Sequence, residues 1–412
     1  MNAQPIPSPA LGISLIGQEE EELVLKVLRS KTLNRYYSAD PNQPPPMVET
    51  LEKEFRTLLG TRFTLAVTSG TAALEVALGA LSIGPGDEVI LPAWSWISCF
   101  TAIVHLGGKP VLAEIDDTLC LAPSEIARRC TSRTKAVLVV HYQGVAADMD
   151  PILAAAGQAG IAVLEDCAQS PGVIYRGRRG GSMGAMGTFS FQHLKTVTAG
   201  EGGMVATNDP RLYERAVRMH DLGQMRAFHA RQAEPKEPPF SSGQFRMSEL
   251  TGAVALAQFR RLDQIRGRCR ALSARVMAQI RDLPGLAFRR IPDPVGDSGI
   301  EIYFMVATTG LRDEFRIRLT AAGIPCAPMT GTHAQYRRGY VVSGLSHSAS
   351  ASPFSVGTDW PGPGYRAEDF PQTEDLINRM ISIPIGVNYS DENADRIGAE
   401  IRRIHGELGT GA

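Results

Sequence analysis

One lysine, inside Ser190 to Gly203 (SFQHLKTVTAGEGG), offers the clearest chemistry in the chain. Lys195 follows an apolar and small run, MGTFSF, that reads as a strand. It precedes the turn Gly200-Glu201-Gly202-Gly203 and a second short strand, MVAT. A lysine between two strands is ordinarily surface charge. Held in a partly dry pocket, its ammonium pKa falls and the neutral amine condenses with an aldehyde. An aldehyde on a phosphorylated aromatic nitrogen ring needs three further partners: an anion cup, a carboxylate for the ring nitrogen, and a flat side chain to stack on it.

The chain has a candidate for each. Phe63 to Thr68 reads as a strand, and Ser69-Gly70-Thr71-Ala72-Ala73-Leu74 leads from it into the helix TAALEVALGAL. Free N–H groups at a helix start, with glycine allowing close approach, bind anions; a plain Ser/Thr-capped helix has the same sequence. Asp166 ends the apolar strand Ile161 to Glu165, where a carboxylate either faces the ligand crevice or caps the next turn. Held ionised against a ring N–H, it keeps the ring positively charged. Trp94 and Trp96 follow the strand Glu88 to Pro92, and Trp96 is either the ring stacker or, with Trp94, a core anchor.

Strands and helices alternate from 63 to 170, which predicts a mostly parallel, doubly wound sheet. Further helices are expected at Gln18 to Arg29, Met47 to Leu59, Ala93 to Leu106, Asp209 to Asp221, Phe245 to Leu262 and Arg261 to Ile280. Asp148 is expected to cap the helix after it. The segments 222–244 and 343–365, rich in polar or turn residues, are expected to be loops, the second a lid. The last 130 or so residues carry strand-like runs at Ile302 to Thr308 and Met380 to Ile385, and helices at Arg312 to Ala322 and Asp391 to Leu408. The organisation read from this is an arm (1–48), a large α/β domain (49–265) and a small α+β domain (266–412).

Composition removes several classes. The 412 residues carry a formal charge of −1, so nothing points to nucleic acid or an anionic membrane. No apolar run reaches the length of a membrane span, and the first residues lack the order of a signal peptide. Six cysteines without CxxC spacing read as reduced thiols in a cytoplasmic protein, and eight scattered histidines without HExxH argue against a metal site.

Five segments together resemble the DegT family of sugar aminotransferases, across nearly the whole chain. They are SGTAAL (69–74), GDEVILPAWSW (86–96), EDCAQSPG (165–172), SFQHLK with GEGG (190–203) and FRMSELTGAVALAQFRRLD (245–263). The resemblance implies a fold type I enzyme dependent on pyridoxal 5′-phosphate (PLP), with a sheet of the seven-stranded type. It makes Lys195 the lysine that holds PLP, Asp166 the partner of the pyridine nitrogen, Trp96 the stacker and Gln169 the partner of the phenolic oxygen. Gly70, Thr71, Ala72 and Ser190 become the phosphate cup. It also implies a homodimer, in which a further phosphate contact comes from the partner subunit. The family usually has Asn there; this chain has Gln244, and Ser242 where a glycine is usual.

The resemblance implies transfer of an amino group from glutamate, or glutamine in some relatives, to a keto-sugar. LAEIDDTLCLAPSEI (112–126) and RIPDPVGDSG (290–299) resemble the subfamily that makes 8-amino-3,8-dideoxy-octulosonate for lipopolysaccharide; a nucleotide-linked keto-sugar and a cyclitol ketone are the other acceptor classes. Two alternatives compete. The dehydratases of this fold replace the lysine with histidine, and although His193 is near, Lys195 keeps the family position. A non-catalytic PLP-binding regulator would need a DNA-binding segment, which the chain lacks.

Overall fold

The structure, a computed structural model, describes residues 6–36, 46–326, 333–347, 353 and 364–409. Its strands in chain order are β1 (Phe63–Val67), β2 (Glu88–Pro92), β3 (Lys109–Ala113), β4 (Thr134–Val140) and β5 (Ala162–Asp166). A small hairpin of β6 (Ile174–Tyr175) and β7 (Arg178–Arg179) follows, then β8 (Met186–Ser190) and β9 (Gly203–Thr207). Seven of these form one sheet in the order β1-β9-β8-β5-β4-β2-β3. Only β9 runs against its neighbours, so the sheet is mostly parallel, as the alternating pattern requires. Its inner strands are buried on both faces and read as near-continuous apolar runs, of which AVLVV in β4 is the plainest.

A second, antiparallel sheet of β10 (Ala287–Phe288), β11 (Glu301–Met305) and β12 (Met380–Pro384) packs under the long helices Leu262–Ile280 and Asp391–Leu408. Its core of Phe304, Phe315, Leu272, Val276, Ile397 and Ile401 is separate from that of the large sheet. The N-terminal segment ties both regions together. Val387 donates to the Ala10 carbonyl at 2.8 Å, and the Ala10 N–H donates to Asn388 Oδ1 at 3.0 Å. Further on, Gln258 Nε2 donates to Glu20 in the helix Gln18–Ser30 at 2.7 Å.

Three expectations are corrected. The helix after β2 covers only Ser98–His105. Residues 93–95 form an isolated bridge instead, their backbone pairing with a distant segment: Ser95 N–H donates to the His333 carbonyl and Gln335 N–H to the Ala93 carbonyl, both at 2.9 Å. The helix expected from Phe245 begins at Glu249, with Ser248 as its cap. Phe245 lies beside β1, where Thr68 N–H donates to its carbonyl at 3.0 Å. Asp148 makes no capping hydrogen bond; its carboxylate accepts from the Tyr175 hydroxyl at 2.7 Å and from Arg290. The loop 222–244 contains a helical turn, Ala227–Ala230. Most of the lid expected at 343–365 lies outside the described residues. Among the described residues no helix is long and apolar enough to cross a membrane.

One polar knot lies beneath the C-terminal edge of the large sheet. Glu165, fully buried, accepts from Gly181 N at 2.9 Å, Met183 N at 2.7 Å, Gly184 N at 2.6 Å and His141 Nε2 at 2.9 Å. His141 Nδ1 accepts from Ala147 N at 3.1 Å, so the ring is the neutral tautomer with its proton on Nε2. Burial opposes ionisation of Glu165, but the donated hydrogen bonds outweigh it and hold its carboxyl below the ordinary 4.5. The stabilisation is therefore complete above about pH 4.5 and declines as pH falls through the lower folded-state value. Glu165→Ala leaves several buried donors unpaired and is expected to cost about 3–5 kcal/mol in urea unfolding. The variant should also show a flatter loss of stability with acid than the parent protein.

Candidate active site

The C-terminal ends of β1, β2, β4, β5 and β8 converge on a cavity of about 570 Å³ lined by Ser69, Gly70, Thr71, Trp96, Ser98, Gln143, Asp166, Gln169, Ser190 and Lys195, among others. The helix Gly70–Ala80 points its first turn at it. Ser69 caps that helix, its Oγ accepting from Ala72 N at 3.0 Å. Both readings of this stretch thus have a basis: Ala72 N–H is taken by the cap, while Gly70 and Thr71 line the cavity. Glycine is required at 70, because a Cβ there would lie 2.7 Å from Ser190 Cβ. The missing side chain lets the helix start sit directly against the end of β8. Thr71 Oγ1 donates to Ser98 Oγ at 2.9 Å, linking this turn to the next helix.

Asp166 is 5% exposed at the end of β5. Its Oδ1 accepts from Ala168 N at 2.9 Å and its Oδ2 from the Cys99 thiol at 3.2 Å. Burial, and then the Asp166 charge, push the Cys99 thiol well above its ordinary value, so it stays protonated and remains a donor. Gln169 is buried, and among the described residues its Oε1 has no hydrogen-bond partner. Trp94 is fully buried, whereas Trp96 is 49% exposed and lines the cavity.

Lys195 sits in the loop between β8 and β9. Its N–H donates to the Gln192 carbonyl at 2.9 Å, and Leu194 N donates to Gln192 Oε1 at 2.8 Å. The loop base is closed by Phe191 N to Gly202 O and Ala199 N to Phe191 O, each 2.8 Å. Burial lowers the Lys195 ammonium below its ordinary 10.5, against the opposing charge of Asp166. The amine therefore gives up its proton more readily than a free lysine does.

Gln244 is not at this cavity. It is exposed, in a single bridge to Asp221, whose carboxylate is paired with Arg226 and Arg246. Two residues at the site carried no signal in the sequence. His333 reaches the cavity because 333–335 pairs with 93–95; its ring centroid lies 5.4 Å from Trp94 and 5.8 Å from Trp96. Burial, then Arg338 and Lys195, push it down to about 4, so the ring is neutral near pH 7. Cys99 reads in the sequence as one of six reduced thiols, and only its partner Asp166 sets it apart. A helix-phased apolar run does not announce that one member faces a carboxylate.

The residues fit pyridoxal phosphate. The cavity offers an amine, an ionisable carboxylate, an indole face, a helix start with small residues, and one buried amide oxygen, on Gln169, that lacks a partner. Comparison with known proteins agrees. Residues 15–352 match the model of the DegT/DnrJ/EryC1/StrS aminotransferase family. The chain is 31% identical to the spore coat polysaccharide biosynthesis protein SpsC of Bacillus subtilis (strain 168), over 95% of this chain and 96% of that one. The crystal structure of DesI, solved in the presence of its TDP-sugar product, superposes with a TM-score of 0.78 at 26% identity, covering 99% and 95% of the two chains. The sugar aminotransferase Spr1654 of Streptococcus pneumoniae, described as putative and solved in its PLP form, shares the fold, with a TM-score of 0.77 at 20% identity over 99% and 100%.

The lowered Lys195 value has a direct consequence in the cofactor-free protein. At near-neutral pH, limiting acetic anhydride should acetylate Lys195 ahead of the exposed Lys26 and Lys53, as read by peptide mass spectrometry. Equal labelling would contradict the assigned environment.

Proposed function

The chain belongs to the DegT/DnrJ/EryC1/StrS aminotransferase family and is a PLP-dependent sugar aminotransferase; from that premise we propose its substrates and the work of each residue. The amino donor is glutamate or glutamine. The acceptor is a keto-sugar, either a keto-octulosonate or a nucleotide-linked keto-sugar, aminated in the cytoplasm for a glycan such as lipopolysaccharide. The segments at 112–126 and 290–299 support the first acceptor. The TDP-sugar in the DesI structure and the polysaccharide role in the name of SpsC support the second.

The observation that carries the mechanism is that Lys195, Asp166 and the helix start at Gly70 and Thr71 line one cavity. Gly70 and Thr71 N–H groups, with Ser190 Oγ, hold the phosphate. Ala72 stands behind them, its own N–H held by Ser69. Trp96 would offer its indole face to the ring, and Gln169 would meet the phenolic oxygen. Asp166 would accept a hydrogen bond from the ring nitrogen. Bound PLP supplies an electron sink that weakens the Cα–H bond of the amino donor. Lys195 holds the cofactor between turnovers; once displaced, its neutral amine takes the donor's Cα proton and returns one later in the cycle. Trp96 and the apolar Leu11, Leu74 and Ile300 restrict water around that amine. In a homodimer, the exposed Gln244 of each chain reaches the phosphate of the other.

Lys195→Ala should bind the cofactor without the yellow band of the lysine-bound form and should lose at least about 10³-fold in transamination, the scale of removing both a base and a covalent attachment. Absorbance on cofactor addition and a glutamate-dependent amination assay test this; a variant that turns over normally would refute the assignment. A monomer in analytical ultracentrifugation of the loaded protein would refute the Gln244 role.

A further inference from the structure

Gln143 occupies the turn after β4 with φ +43°, in the left-handed region where residues with a Cβ are disfavoured. The turn is fixed on every side. Gly144 N lies 3.1 Å from the Gln169 carbonyl and 2.8 Å from Ser170 Oγ, and donates to both; Ser170 Oγ donates to the His141 carbonyl at 2.7 Å. Ser298 N donates to the Gly144 carbonyl at 2.9 Å, bringing in the region of the second sheet. Gly144 must be glycine, since its φ is +81° and a Cβ would lie 3.0 Å from both Ile300 Cγ1 and Ser298 Cβ. No such demand falls on 143, where a glycine would adopt the same backbone more easily.

The glutamine there has no structural duty that explains it. It is half-buried, it lines the cavity, and its amide makes no hydrogen bond among the described residues. Strained backbone at a cavity, held by surroundings that over-determine it, marks a side chain kept for what it meets. The sheet order gives its place. Ser190 comes from β8 and Asp166 from β5, while Gln143 comes from β4, one strand further from the phosphate cup and next to Ile300. Its amide offers two donors and an acceptor, the match for adjacent hydroxyls on a polyol.

We propose that Gln143 is a specificity-determining residue of the acceptor subsite, its amide hydrogen-bonding a hydroxyl pair beside the carbonyl carbon that receives nitrogen. The proposal rests on the keto-sugar reading above. Gln143→Gly removes the amide and relieves the backbone; Gln143→Asn keeps the amide and tolerates the backbone. Four quantities separate the possibilities: the unfolding midpoint of the cofactor-free protein, the PLP dissociation constant, the glutamate-driven loss of the yellow band, and KM and kcat for a TDP-linked keto-hexose and a free keto-octulosonate.

For Gln143→Gly the midpoint should hold or rise, and PLP affinity and the glutamate step should stay within about twofold. Acceptor KM should rise about tenfold with little change in kcat, the factor of one neutral hydrogen bond, and Gln143→Asn should recover part of it. An unchanged acceptor KM overturns the proposal, as does a tenfold loss of PLP affinity, which would make Gln143 a cofactor contact. Wild-type protein that completes the glutamate step yet aminates neither sugar overturns the keto-sugar reading itself, and the proposal with it.

Discussion

A carboxylate sealed from water and surrounded by donors sets the edge on which the site is built. Glu165 collects three backbone N–H groups from 181–184 and the proton of His141, and the next residue along β5 is Asp166. Strand residues alternate faces, so fixing one side chain beneath the sheet edge fixes the direction of its neighbour. His141 extends the same constraint to β4, whose end carries the turn at 143–144, and the 181–184 loop leads straight into β8 and Ser190. Three of the cavity's walls are therefore registered against a single anion. An exposed ion pair would not do this, because water would compete for every partner.

Above that edge lie the two principal groups, Lys195 and Asp166. Burial shifts the Lys195 amine toward neutrality, which suits a nucleophile and base. Asp166 is buried too, and it accepts from a backbone N–H and from the Cys99 thiol. A thiol beside a carboxylate is itself discouraged from ionising, so the Cys99 donor persists. The neutral His333 adds no competing charge. An amine whose proton is loosened by burial and a carboxylate held by two donors thus share one cavity.

What the sequence made legible was local. Lys195, Asp166, Trp96, Gln169, Ser190, Gly70 and Thr71 all follow strand ends that read as apolar runs, and the structure brings them to one cavity. Ala72 and Gln244 follow the same motifs but line no part of it. What was not legible depends on pairings between residues far apart in the chain. The bridge at 93–95 reads as helix in the sequence because its partner, 333–335, lies some 240 residues away and has no strand-like pattern. His333 enters by that pairing alone. The left-handed backbone of Gln143 was equally hidden, since neither residue type nor spacing predicts it; only the following glycine hints at a turn.

The segment around Ala10 has a bearing on how the molecule comes into being. Leu11 contributes to the cavity wall, yet its neighbour Ala10 is anchored by Val387 and by Asn388, which lies 378 residues further along the chain. A ribosome delivers residue 10 long before residue 387, so that anchor is missing until the later segment has emerged. A nascent chain with the large sheet already formed would still lack that wall, and cofactor capture in its final form waits for the second sheet's region.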